Sequence, residues 1–105
     1  MKFLKDERIE REDGEVKLTI KPVTTSQQAR VIDMGALSGV SNRIALTNYC
    51  LKNIIEKISV SGEDIDPIKL AEHADLSDKD TMAVMIKIGQ VTCDIVLPDG
   101  DTVKK

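Results

Sequence analysis

Asn42 to Val60, NRIALTNYCLKNIIEKISV, is the stretch on which the reading of the fold turns. Ile44, Leu51, Ile55 and Ile58 recur at spacings of seven, four and three, the intervals at which side chains line one face of an α-helix. Ala45, Tyr49, Cys50 and Ile54 widen that stripe, and Lys52, Asn53, Glu56 and Lys57 mark a wet side. Ser41 or Asn42 offers an N-cap, and Ser61-Gly62 offers a stop, glycine being suited to the left-handed position after a helix. One central helix over about 42–60 is the reading.

Upstream, Val16-Lys17-Leu18-Thr19-Ile20-Lys21 alternates apolar and polar residues, the period-two pattern of a half-buried strand, with Pro22 at its end. Asp13-Gly14 before it is a two-residue hairpin signal. The stretch Asp6 to Glu12 holds only Ile9 as an apolar residue, so it reads as a weak edge strand or a charged arm. Thr24-Thr25-Ser26 supplies capping hydroxyls for a helix over about 26–37, with Ala29, Ile32, Ala36 and Leu37 inward and Gln27, Gln28, Arg30 and Asp33 toward water. Leu37 to Val40 reads as a connection.

Downstream, Glu63-Asp64-Ile65-Asp66 reads as an acidic loop, and Asp66-Pro67 as the start of a short helix to about Ala74 that buries Ile68, Leu70 and Ala71. Ser77 with Asp80 resembles a capping box for a last helix. That helix carries Met82, Val84, Met85, Ile86 and Ile88 and is apolar on nearly all sides, with Gly89 closing it. Val91, Cys93, Ile95 and Leu97 alternate again, which fits a strand against Val16–Ile20 or a loose tail, and Pro98-Asp99-Gly100-Asp101 reads as a turn.

These elements give an α+β fold that is mainly α. Three to four helices join an N-terminal strand or hairpin and a C-terminal strand. The 105 residues fit one domain. Its parts are a charged arm or edge strand (1–14), a helical core (16–90) and a strand or flexible tail (91–105). Phe3 and Tyr49 are the only aromatic residues, so aliphatic side chains and four Met build the core. The net charge of −3 argues against nucleic acid, whose phosphates call for clustered Lys and Arg. No apolar run approaches the roughly 20 residues that span a bilayer. The charged N-terminus lacks a signal-peptide core, so a cytoplasmic location is expected. Cys50 and Cys93 read as two free, packed thiols, with a disulfide as the alternative.

The residue types that carry chemistry do not assemble. His73 has Glu72 beside it and no Cys at ligand spacing, so it reads as an exposed helix histidine rather than a zinc ligand or a catalytic base. Glu63, Asp64 and Asp66 with Ser61 miss the EF-hand spacing and read as a solvated acidic loop. Asp75, Asp78 and Asp80 read the same way. Gly35-Ala36-Leu37-Ser38-Gly39 lacks the lysine of a phosphate-binding loop and does not follow a strand. No catalytic residue, cofactor or metal site is therefore expected. The remaining signal is apolar surface. Leu51, Ile55, Ile58, Met82, Met85 and Ile86 are the candidate protein-binding residues, read either as plain core or as a Met-containing groove for an apolar helix from a partner or a second copy of the chain.

The organisation resembles the small tail assembly chaperones of tailed bacteriophages and their prophage relatives. The likeness covers about residues 16–90. It rests on Lys17-Leu18-Thr19-Ile20-Lys21-Pro22-Val23 leading into a capped helix, on the central stretch ending in Ile58-Ser59-Val60-Ser61-Gly62-Glu63-Asp64-Ile65, and on Ala74-Asp75-Leu76-Ser77-Asp78-Lys79-Asp80 opening a last helix. The resemblance implies a helical assembly factor of the host cytoplasm that shields apolar helices of a tape-measure or tail-tube protein. It implies no catalytic residues. A structural phage component, such as a head–tail connector or baseplate piece, and a regulatory binding module are the other readings.

Overall fold

The computed structural model describes residues 7–97. The elements follow the order ββααββαα: β1 (Ile9–Asp13), β2 (Val16–Ile20), α1 (Thr25–Gly35), α2 (Val40–Asn53), β3 (Ile55–Val60), β4 (Glu63–Ile65), α3 (Pro67–His73) and α4 (Lys79–Val96). The strands form one antiparallel sheet in the order β1-β2-β3-β4, and the helices cover one of its faces. Val16, Leu18 and Ile20 point from β2 into the core, as their alternation requires.

The central stretch divides. Helix α2 ends at Asn53, whose Nδ2 donates to Tyr49 O at 3.0 Å, and the chain straightens through Ile54 into β3. Ile55 and Ile58 therefore sit in a strand, opposite Ile20 and Leu18, and not on the expected helix over 42–60. The register slips between Thr19 and Ile20, so β3 holds Glu56 as an extra, bulged residue. That bulge puts Ile55 and Ile58, three positions apart, on the same face of the sheet. A spacing of three in a strand thus imitates a helix. Ser61 (φ 53°) and Gly62 (φ 83°) form a two-residue turn with both φ positive, joining β3 to β4. They do not close a helix, and Glu63-Asp64-Ile65 is an edge strand, not a loop.

The first hairpin turns on Gly14 (φ 62°) and Glu15, one position later than the Asp13-Gly14 reading, with Asp13 facing Val16 across the turn. The charged stretch before it is an edge strand from Ile9 onward, tied to the bulge by Arg8 Nε, 2.9 Å from Glu56 Oε2.

Helix α4 runs to Val96, straight through Gly89. Val91, Thr92, Ile95 and Val96 are buried as helix residues, so no strand forms over 91–97, and β3 takes the place beside β2 assigned to it. The pattern Val91, Cys93, Ile95, Leu97 reads as alternation only when the buried Thr92 and Val96 are passed over. The proline-glycine turn at 98–101 lies outside the described residues. Gly89 is a packing residue: a Cβ there would collide with Thr47 Oγ1 and lie 3.6 Å from Thr47 Cβ on α2. Thr47 is fully buried. Its hydroxyl donates to Met85 O at 2.8 Å, with Arg43 O of its own helix the alternative acceptor at 3.0 Å.

Helix α1 turns a different face inward from the one expected. Val31 is its buried residue, while Ala29, Ile32, Ala36 and Leu37 are exposed. Thr24 and Gln27 form a reciprocal capping box (3.1 and 3.0 Å). Gln27 and Gln28, read as water-facing, instead close the ends of two other helices. Gln27 Nε2 donates to Asn53 O at 3.3 Å and Gln28 Nε2 to Val96 O at 3.2 Å, so α1 caps the last turns of α2 and α4. Asp66 caps α3, accepting from Ile68 N at 2.9 Å, with Pro67 in the first turn as expected. Leu70 and Ala71 of α3 are half-buried, but Ile68 stays exposed. Asp78, not Ser77, caps α4.

Candidate functional site: two grooves beside the last helix

Helix α4 presents its core stripe, Met85, Ile88, Val91, Thr92, Ile95 and Val96, to the sheet and to α2. The apolar residues flanking that stripe, Met82, Val84, Ile86 and Cys93, stay half-buried. Val84 lines a depression on one side of the helix, and Ile86 and Cys93 line a second on the other.

On one side, α4 faces α3 and the β3–β4 hairpin. The groove between them measures about 530 Å³. Val60, Ile65, Leu70, Val84 and Met85 are its apolar lining, and the carboxylates Glu15 and Asp80 stand among its polar residues. The β3–β4 turn places Val60 and Ile65 there, and the Asp66 cap directs α3 so that Leu70 meets them. The bare apolar atoms favour a nonpolar occupant, and the two carboxylates favour one that carries positive charge beside its apolar face.

On the other side, α4 faces the corner between α1 and α2. This groove, about 380 Å³, is lined by Met34, Leu37, Leu46 and Ile86, with Arg43 and Asp94 among its polar residues. Leu37 is 57% exposed and Val40, three positions on, is 53% exposed, so this corner carries two large exposed aliphatic side chains. A third depression, about 420 Å³, lies where the sheet meets Pro67. Its lining includes Glu10, Lys17, Thr19, Lys57, Ser59 and Asp64, which makes it polar and mixed in charge.

The six residues singled out from the sequence separate into two groups. Leu51, Ile55, Ile58 and Met85 are sealed in the core at 0, 4, 3 and 1% exposure. Met82 and Ile86 keep partial exposure, and Ile86 lines the α1–α2 corner groove. The structure therefore does not bring the six to one surface. Three groove residues, Val60, Ile65 and Leu70, sit in a hairpin and a short helix where the sequence pattern predicts a helix end, a loop and core. Leu37 and Val40 fall in the stretch whose pattern predicts a connection, although two large aliphatic residues in so short a link are themselves a signal.

His73 is exposed at the end of α3. Among the described residues no group of three or more His, Cys, Asp or Glu side chains is placed to hold a metal ion. Asp75 accepts from Ser77 N at 3.0 Å and from Ser77 Oγ at 2.5 Å, which lowers its carboxyl pKa. That is a local turn contact. Cys50 and Cys93 are free thiols. Burial, and secondarily the nearby Cys93, push the Cys50 thiol up to about 12, and burial followed by Asp94 raises Cys93. Neither favours the reactive thiolate. No described helix is long and apolar enough to cross a membrane.

The fold is a two-layer α+β domain with apolar grooves on its helical side. The chain matches no family model, no curated protein and no solved structure.

Proposed function

We propose that this chain is a protein-binding assembly factor that holds an apolar helix of another protein in the groove between α3, α4 and the β3–β4 hairpin. One observation carries the reading: Val60, Ile65, Leu70 and Val84, from four separate elements, converge on one open depression with Glu15 and Asp80 beside it. A helix laid in a groove places anchors at one-turn spacing against such a lining, and basic residues beside those anchors would meet the carboxylates. In the setting suggested by the likeness to tail assembly chaperones, the occupant is a helix of a tape-measure or tail-tube protein held soluble in the host cytoplasm until assembly.

The test is coexpression with a long helical tape-measure-type tail protein, followed by size-exclusion chromatography of the soluble fraction. The wild-type chain should co-elute with it. Val84→Asp and Leu70→Asp should lose it while keeping a native circular dichroism spectrum, since both side chains are only half-buried. Variants that stay folded and still carry the client would refute this groove as the docking site.

A further inference from the structure

Helix α1 carries two apolar stripes, and the folded chain uses one. Val31 and Met34 pack inward. Ala29, Ile32 and Ala36 follow one another at spacings of three and four on a different side, and all three are exposed, Ile32 at 54%. Leu37 and Val40, just beyond the helix end, are exposed as well. Alternating spacings of three and four are the narrow seam by which two helices pair. Small alanines on both sides of Ile32 leave room for a second helix to come close and receive that side chain.

The charges bordering the seam say what that helix is. Arg30 and Asp33 lie side by side along the same flank, both exposed, and neither makes a side-chain hydrogen bond or ion pair with a described residue. Opposite charges three positions apart on one flank complement an identical helix running the other way. A two-fold axis between positions 31 and 32 sets Arg30 of each copy opposite Asp33 of the other. The same axis brings the two Ile32 side chains together and drops Ala29 of one copy between Ile32 and Ala36 of the second. We infer that two copies of this chain associate through antiparallel α1 helices, with Ile32 at the centre and two Arg30–Asp33 pairs along one edge. The arrangement is self-complementary, as a closed two-fold interface must be. It does not depend on client binding, because no residue of α1 lines the groove between α3 and α4.

Three helical turns with Leu37 and Val40 make a small interface, so the dimer is concentration-dependent. Sedimentation equilibrium of the full chain over on the order of 10 µM to 1 mM should show mass rising from 11.6 kDa toward twice that value. Ile32→Glu, at an exposed position, should give a monomer with unchanged circular dichroism. Arg30→Asp alone, or Asp33→Arg alone, installs two like-charge contacts and should weaken the dimer roughly tenfold. The double variant Arg30→Asp/Asp33→Arg should restore it. A wild-type chain that is monomeric throughout, a dimer indifferent to Ile32→Glu, or a double variant no tighter than the singles would each overturn the inference. A monomer whose α1 stripe instead shields a client's helix would show as loss of co-elution in Ile32→Glu without any change in its own mass.

Discussion

At the scale of single residues, the close approach of α2 and α4 at Thr47 and Gly89 sets the packing of the helical layer. Gly89→Ala puts a methyl against Thr47 Oγ1 and should cost about 1–3 kcal/mol in urea denaturation. In a Thr47→Ala background the obstructing oxygen is gone, so the same substitution should cost less, and the double-mutant cycle should show a coupling of about 1 kcal/mol. Neither residue announces its role in the sequence. A glycine within an apolar run reads as a stop, and Thr47, between Leu46 and Asn48, carries no pattern that marks it as buried. Their contact is visible only once the two helices are set together.

Cys50 offers a second test at this scale. Its folded pKa, about 12, lies above its ordinary 9.0, so the folded state holds the proton that the unfolded state releases. The associated stability is complete below pH 9 and is lost as pH rises toward 12. Denaturation midpoints should therefore fall across that window, with a shallower fall in Cys50→Ala. A thiol-reactive dye should label Cys50 at neutral pH only after unfolding. That both cysteines are free and packed was legible from their number and isolation. Their common position between α2 and α4 was not.

At the scale of elements, the strands and helix starts with local chemistry were legible: β2 from its alternation, α3 from Asp66-Pro67, and α1 from its capping hydroxyls. The division of Asn42–Val60 was not, because the bulge at Glu56 gives β3 the interval of a helix and no local residue breaks the chain at Ile54. What decides it is long-range. A helix continued to Val60 would leave Leu18 and Ile20 without Ile58 and Ile55 across the sheet. The Ser61-Gly62 turn is the local device that favours the hairpin. Ser61→Asn, supplying the residue most at ease with positive φ before glycine, should raise stability by up to about 1 kcal/mol. A helix ended at Gly62 would gain nothing from that change. The end of α4 gives a cleaner contrast: a chain stopped after Gln90 loses Val91, Thr92, Ile95 and Val96 from the core and should not fold, whereas a loose tail could be removed freely.

At the scale of the whole molecule, Ile58→Asp and Met85→Asp should abolish the cooperative unfolding transition, because both side chains are sealed in the core. The α+β class and the single apolar core follow from patterning. The candidate surface does not. Residues in contact with a core and residues left for a partner share one composition, and only the packed chain separates Leu51 from Leu37. The apolar stripe on α1 shows this most directly: the spacing of Ala29, Ile32 and Ala36 marks one face and predicts it inward, and the fold sets that face outside.

The sheet adds a consequence of its own. Its outer strand β1 carries Glu10, Arg11, Glu12 and Asp13 in succession, and the opposite border, β4, is three residues long. An incoming extended segment would meet a fence of charge on one margin and a stub on the other, neither of which templates backbone pairing. Neither border of the sheet, as far as the described strands go, favours recognition by main-chain zippering, so the helix proposed as occupant would be read through side chains on the helical layer, by shape and oiliness rather than by amide ladders.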